Sequence, residues 1–305
     1  MRPTLIRIGT LKFHSYPTML AIAFIVCTLW AVRDANRAER PIPATTQGGL
    51  WGFIGGLIGA KVFWILQYSE WKYLWRAVFV WEGGLVFYGG LIGGILGVAL
   101  YLRVNKFPYR QSADIAAPYV ALGEAITRVG CFLNGCCWGA VAPNLPWAVV
   151  FPRHSPAFLR QVQEGLLERS AQASLPVHPT QLYMVAGLLV IAFLLKMGHS
   201  GKRPFDGAIG LGYCFLYGIL RFSVEALRGD NARSVSGMTV SQSISLGLVV
   251  GAAATYIIVV HKQRQTRPAV VEEELPVHPE GDAEACAASA DHELSVSDSE
   301  VERNS

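Results

Sequence analysis

Charge is scarce in this chain: only 16% of its 305 residues are Asp, Glu, Lys or Arg, and 26 basic against 22 acidic residues leave a formal net charge of +4. The basic residues are scattered, so the clustered Lys and Arg footprint on which nucleic-acid binding rests is missing. A secreted disulfide framework is missing too. Six Cys (Cys27, Cys131, Cys136, Cys137, Cys214, Cys286) lack its paired spacing, and two of them lie inside apolar runs where a free thiol packs as a small hydrophobe. Arg2, Arg7 and Lys12 precede the first apolar run, but no small-residue cleavage site follows it, so the run reads as an uncleaved first span. No ring of polar residues repeats along several apolar segments, which argues against a channel.

What the chain has is apolar length. Hydrophobic residues make up 52% of it and mean hydropathy is +0.34. They fall in seven runs of spanning length, about 16–32, 49–68, 83–102, 114–133, 181–197, 207–226 and 239–260. The expected fold is an all-α polytopic membrane protein of about seven transmembrane helices. Arg33, Arg37, Arg40, Arg103, Lys106, Arg110, Lys196, Lys202, Arg203, Lys262, Arg264 and Arg267 flank one side of the spans tightly, which puts the N-terminus outside and the C-terminus in the cytoplasm. Residues 1–265 form the membrane domain, with a proline-rich external loop region at 134–180. Within it, 155–173 has the spacing of an amphipathic surface helix, with Phe158, Val162, Leu166 and Leu167 on one face. Residues 266–305 are acidic, Ser-rich and almost without aromatics, the composition of a disordered cytoplasmic tail.

Two features of the spans need explanation. Glycines crowd the second and third runs, as Gly55, Gly56, Gly59, Gly89, Gly90, Gly93, Gly94 and Gly97, and small faces of this kind let helix backbones approach closely in lipid. The stretch Gly83–Leu91 is denser than packing needs and suggests backbone bent around a ligand. The second feature is ionisable side chains at membrane depth: Lys61, Glu124, Arg128, Arg221 and Glu225. An Arg near the centre of a span costs about 2.5 to 3.5 kcal/mol on insertion scales, so each needs a partner. Glu124 with Arg128, and Arg221 with Glu225, are four residues apart and share a helix face, with Tyr217 one turn before Arg221. Each pair can neutralise itself. Two arginines converging at membrane depth also make a fork for phosphate oxygens, and the abundant anion there is a phospholipid head group, a more probable partner for Arg128 than a protein carboxylate.

Polar residues gather at the external ends of the runs: His14-Ser15-Tyr16, and His178-Pro179-Thr180-Gln181-Leu182-Tyr183, where Thr180 has the chemistry of a helix cap. Between them stands Arg128-Val-Gly-Cys131-Phe-Leu-Asn134-Gly-Cys136-Cys137-Trp-Gly139. Its C-x4-C-C spacing with no nearby His lacks the four-ligand closure of a structural zinc site, so no metal site is expected. Small side chains tolerated beside a tight bend, or a disulfide from Cys131 to Cys136 or Cys137, are the alternatives.

These residues carry a resemblance. Thr127–Gly139 is similar to the signature G-R-x-G-N-F-x-N-G-E-x-x-G of the prolipoprotein diacylglyceryl transferases, His178–Tyr183 resembles their histidine-prolyl segment, and Tyr217-Gly218, Arg221, Glu225 and Arg228 match Y-G-x-x-R-x-x-x-E-x-x-R. Tyr88-Gly89-Gly90-Leu91 aligns with the family's H-G-G-L, Tyr16 with its N-terminal tyrosine and Lys61 with an arginine of its second span. The match runs from about His14 to His261. It implies transfer of sn-1,2-diacylglyceryl from phosphatidylglycerol to the lipobox cysteine of a prolipoprotein signal peptide, at an inner-membrane site open to the outside, with no cofactor. By the resemblance the catalytic residues are Arg128, Arg221, Tyr88 and Glu225. The substrate-binding residues are Tyr16, Lys61, Gly89, Gly90, Asn134, Gly139, His178, Gln181 and Tyr217. Three positions depart from the family: Tyr88 stands for His, Cys131 for Asn and Cys136 for Glu. Tyrosine, with an ordinary pKa near 10, is a poorer base at neutral pH than histidine. The alternative implied is a paralogue that binds or transports anionic phospholipid, or transfers to another acceptor.

Overall fold

The computed structural model describes residues 4–8, 11–37, 42–68, 72, 75, 86–200, 203–229 and 237–266. Among them lie two strands, β1 (Thr4–Ile8) and β2 (Leu11–His14), and eight helices: α1 (Ser15–Arg37), α2 (Ile42–Tyr68), α3 (Phe87–Val104), α4 (Tyr109–Asn134), α5 (Pro156–Gln163), α6 (Thr180–Ser200), α7 (Ala208–Ala226) and α8 (Val240–Thr266). Seven helices fall on the seven apolar runs. Five of them, α1, α2, α6, α7 and α8, are long and apolar enough to cross a membrane, and α3 is a shorter apolar helix. The chain is a multi-pass membrane-embedded protein. Gly83, Gly84 and the acidic tail beyond Thr266, Cys286 included, lie outside the described residues.

A short antiparallel β1–β2 hairpin, with Ile6 opposite Phe13 and Ile8 opposite Leu11, precedes the helices that make up the rest of the fold. Its strands are too short to stand out from the lead-in to α1. The surface helix is also shorter than its apolar spacing predicts. Ser155 caps its start by accepting the Phe158 N–H at 3.2 Å, but Gly165 adopts φ 73° and turns the chain away, leaving Leu166 exposed.

Helix α4 is the hub, packing on α1, α6 and α7. Ala117, Ala121 and Ala125 recur at four-residue spacing on its buried face, against Met184, Leu188 and Ile191 of α6 and Val224 of α7. Because α4 carries Arg110, Asp114, Glu124 and Arg128, it lacks the apolar character of its neighbours. Asp114, fully buried, explains one of those charges: it accepts the N–H groups of Gly207, Ile209 and Gly210 at 2.8, 2.9 and 2.9 Å, neutralising the first turn of α7.

Helices α2 and α3 form an antiparallel pair. A Cβ on Gly59 would come within 2.8 Å of the Gly93 Cα, and one on Gly93 within 2.8 Å of the Gly59 Cα. The glycines are thus occupied in backbone-to-backbone packing, which corrects the expectation that Gly89 and Gly90 bend around a ligand: Gly89 lies against Gly59, and a Cβ on Gly90 would meet Ala60 Cβ at 3.4 Å.

Candidate active site

Antiparallel succession brings the C-terminal ends of α4 and α7 to the same end of the bundle as the starts of α1, α6 and α8. Gly130 fixes α1 there, because its missing side chain admits Tyr16 and Met19, the Met19 Cβ only 2.9 Å from where its own Cβ would stand. Arg128 sits within the last two turns of α4. Its Nη2 and Nε donate to Glu124 Oε1 at 2.8 and 3.3 Å, and the Tyr217 hydroxyl of α7 donates to the same oxygen at 3.3 Å. Within the chain, the partner of Arg128 is therefore Glu124, the self-neutralising pair that their four-residue spacing allows. The reason is tertiary as well as local, since Tyr217 holds the carboxylate in place from a second helix.

A second cluster adjoins the first. Arg221 Nη1 pairs with Glu225 Oε2 at 2.8 Å, Arg228 Nη1 stands 3.7 Å from the same oxygen, and Arg221 Nη2 donates to Ser241 Oγ at 3.2 Å. Glu225 is only 2% exposed, and Thr239, at the head of α8, donates its hydroxyl to Oε1 at 2.9 Å. Tyr217 lies within electrostatic reach of both Arg128 and Arg221, and Arg221 within reach of Arg128 and Arg228. Among the described residues, three guanidinium groups (Arg128, Arg221, Arg228) thus gather around two carboxylates (Glu124, Glu225). Converging guanidinium forks in a partly desolvated site have the geometry to hold an anion.

The wall beside the arginines is built from the turn after α4. Gly135, at φ 76°, ends the helix, and the N–H groups of Gly135 and Cys136 both reach back to Cys131 O, at 2.9 and 3.1 Å. Cys137 is left-handed as well, at φ 62°. Gln181 Nε2 donates to Cys136 O and the Thr180 hydroxyl to Cys137 O, each at 2.7 Å. Thr180 thus secures the turn, and its capping role is replaced by this bond. The side chain of Asn134 faces Cys136. Gly139 then runs between two backbones: its N–H donates to His178 O at 2.9 Å, and that of Ala140 to Leu227 O at 2.8 Å. This seam carries Arg228 up to Cys137. His178 Nδ1 is 3.3 Å from the Tyr183 hydroxyl, which also accepts from Trp147 Nε1 at 2.8 Å. The five described cysteines are free thiols. Hydrogen bonds from the Cys131 and Cys136 thiols, then the charges of Arg228 and Arg128, pull the Cys137 thiol below its ordinary value.

Tyr16, Arg128, Asn134, Gly139, His178, Gln181, Tyr217, Arg221 and Glu225 thus share one end of the bundle. Lys61, Tyr88, Gly89 and Gly90 stand on the α2–α3 pair. Lys61 is 2% exposed with Nζ 5.2 Å from the Trp64 ring centre, and Tyr88 is 41% exposed at the start of α3. Sequence reasoning left out Thr239 and Ser241, which hold Glu225 and Arg221. No spacing rule links them to α7, because the connection before α8 separates them in sequence.

Fold and site together define a polytopic helical membrane protein with a cationic, carboxylate-buffered cluster at one end of its bundle. Residues 3–258 match the family model of prolipoprotein diacylglyceryl transferase. The chain is 30% identical over 278 residues to a phosphatidylglycerol–prolipoprotein diacylglyceryl transferase of Erwinia tasmaniensis, covering 87% of this chain and 94% of that one. It is 33% identical over 257 residues to the protein of that name from Pasteurella multocida, covering 81% and 86%. It is 31% identical over 263 residues to phosphatidylglycerol–prolipoprotein diacylglyceryl transferase 2 of Clostridium perfringens, covering 85% and 95%. The chain belongs to the prolipoprotein diacylglyceryl transferase family.

Proposed function

We propose that this chain transfers the sn-1,2-diacylglyceryl group of phosphatidylglycerol to the lipobox cysteine thiol of prolipoproteins, forming a thioether and releasing glycerol 1-phosphate, as a step of lipoprotein biosynthesis. The observation that carries the reading is the three-arginine, two-carboxylate cluster. A thiolate attacking the glyceryl carbon displaces a phosphate, and fixed cations stabilise charge growing on that leaving group. Arg128 and Arg221 hold the phosphate, Glu225 orients Arg221, and Tyr16, Asn134 and Tyr217 line the head-group pocket. Gly139, His178 and Gln181 form the wall along which the peptide enters. Lys61 shapes the α2–α3 side of the pocket, and Tyr88 contributes at its mouth.

In the membrane, residues 1–265 make the transferase domain with seven spans, the N-terminus outside and the C-terminus cytoplasmic. The site then opens to the external face of the inner membrane, with residues 134–180 above it. The test uses purified full-length protein in phosphatidylglycerol vesicles with a lipobox peptide. Diacylglyceryl peptide and glycerol 1-phosphate form with the wild type and not with Arg221→Ala. Phosphatidylglycerol binding without turnover in the wild type identifies a lipid-binding paralogue instead.

A further inference from the structure

We propose that Cys131, Cys136 and Cys137 form a three-thiolate site for one zinc ion, whose fourth position is open to the substrate thiol. The proposal rests on the transferase reading for its substrate, and on geometry for its metal. The three Sγ atoms lie within 4.8 Å of one another. Three sulfurs bound tetrahedrally at about 2.3 Å from zinc sit about 3.8 Å apart, so the site closes by a contraction on the order of 1 Å. The turn is built to hold them. Two left-handed residues, Gly135 and Cys137, fold the chain back over Cys131, and the second is not a glycine, a conformation that costs energy and persists only when its surroundings impose it. Those surroundings are Thr180 and Gln181, which clamp the carbonyls of Cys137 and Cys136. Ligands held from behind in this way are typical of sites that tune a metal.

The four-ligand rule that argued against zinc in the sequence describes closed structural sites. A catalytic site keeps three protein ligands and one open position. Charge fits as well. Zinc with three thiolates is a monoanion and with a fourth a dianion, and Arg128 and Arg228 both lie within electrostatic reach of Cys137. Tyr16 of α1 lies within electrostatic reach of all three thiols.

The chemistry balances without a further reactant. The substrate S–H loses its proton to water as its sulfur binds zinc, since a coordinated thiol is deprotonated outright. The sulfur pair then forms the C–S bond, the C–O bond to phosphate breaks with its electron pair, and glycerol 1-phosphate leaves between Arg128 and Arg221. The neutral thioether is a weak ligand, and the next thiol displaces it. This single device accounts together for the three departures from the family signature. The thiol no longer needs a strong base, which Tyr88 is not, and Cys131 and Cys136 supply two of the three ligands.

The test begins with full-length protein in detergent. It should retain close to one zinc per chain, and cobalt(II) in its place should give a thiolate-to-cobalt charge-transfer band. Cys136→Ser and Cys137→Ser should lose the band, while Cys27→Ser and Cys214→Ser keep it. A lipobox peptide should shift the visible cobalt bands, and its Ser analogue should not. Stripping zinc should slow transfer at least tenfold, with recovery on adding zinc back. Absence of the charge-transfer band in wild type of intact helical content overturns the site. Full transfer after metal removal overturns the open-position role while leaving the transferase reading standing. Intact cobalt spectra without any transfer overturn the transferase reading and support the metal site.

Discussion

Thr239 donates its hydroxyl to one oxygen of Glu225 at 2.9 Å while Arg221 grips the other at 2.8 Å. The carboxylate is fixed from two helices, α8 and α7, before any substrate arrives, and it presents Arg221 in one orientation. Thr239→Val keeps the shape and deletes the bond. The expected effect is a fall in kcat of roughly tenfold, the scale of one hydrogen bond to a charged group, with folding retained and partial rescue by Thr239→Ser. Steady-state transfer kinetics check it; an unchanged kcat would separate Glu225 from the orientation of Arg221.

Removing either arginine proposed to hold the phosphate should cost far more. Arg128→Ala and Arg221→Ala are each expected to lower transfer by about 100- to 1000-fold, the range for losing one preorganised charge-stabilising donor. Arg128→Lys should recover little, since an ammonium cannot reproduce the planar fork. Release of glycerol 1-phosphate is the direct readout.

Gly139→Ala tests the seam that joins the turn to the segment after α7. The new Cβ would lie 2.5 Å from His178 Cβ, 2.7 Å from His178 O and 2.8 Å from Leu227 O, two of them backbone atoms that cannot swing away. A loss of about 1–3 kcal/mol, the usual cost of overpacking, should appear as a lower unfolding temperature in detergent.

Asp114→Ala probes the opposite end of the bundle. Three N–H groups of the first turn of α7 lose their acceptor, and Arg203, 3.7 Å from that carboxylate, loses a counter-charge. Leaving such groups buried costs about 1–3 kcal/mol each before water re-enters, so thermal stability should fall clearly, and Asp114→Asn should recover only part of it.

Tyr88→Phe distinguishes a residue that assists from one that alone removes the thiol proton. The expected loss is under about tenfold, or 1.4 kcal/mol of barrier. A larger fall would make Tyr88 the proton acceptor and remove the need for an activated thiol.

Most of the fold was legible because lipid imposes a strong rule: each spanning backbone must satisfy its own hydrogen bonds, so long apolar runs become helices. The ion pairs were legible for a similar local reason, since Glu124 with Arg128 and Arg221 with Glu225 follow from helical spacing alone. Convergence across helices was not. That Tyr217 holds Glu124, that Thr239 reaches Glu225, and that Cys131, Cys136 and Cys137 meet depends on how α4, α6, α7 and α8 pack. The left-handed turn at Cys137 leaves no mark in composition. The glycines misled for the opposite reason: a small-residue face reads alike whether it receives a ligand or another helix, and here Gly89 and Gly90 receive α2.

Glu124 gives the cationic cluster a resident counter-ion. On the proposed reading, a phospholipid phosphate taking the Arg128 fork would displace that carboxylate, which would return when glycerol 1-phosphate departs. Arg128 would then exchange one anionic partner for another during turnover and never stand without a counter-charge. The same competition would loosen the grip on the product and favour its release.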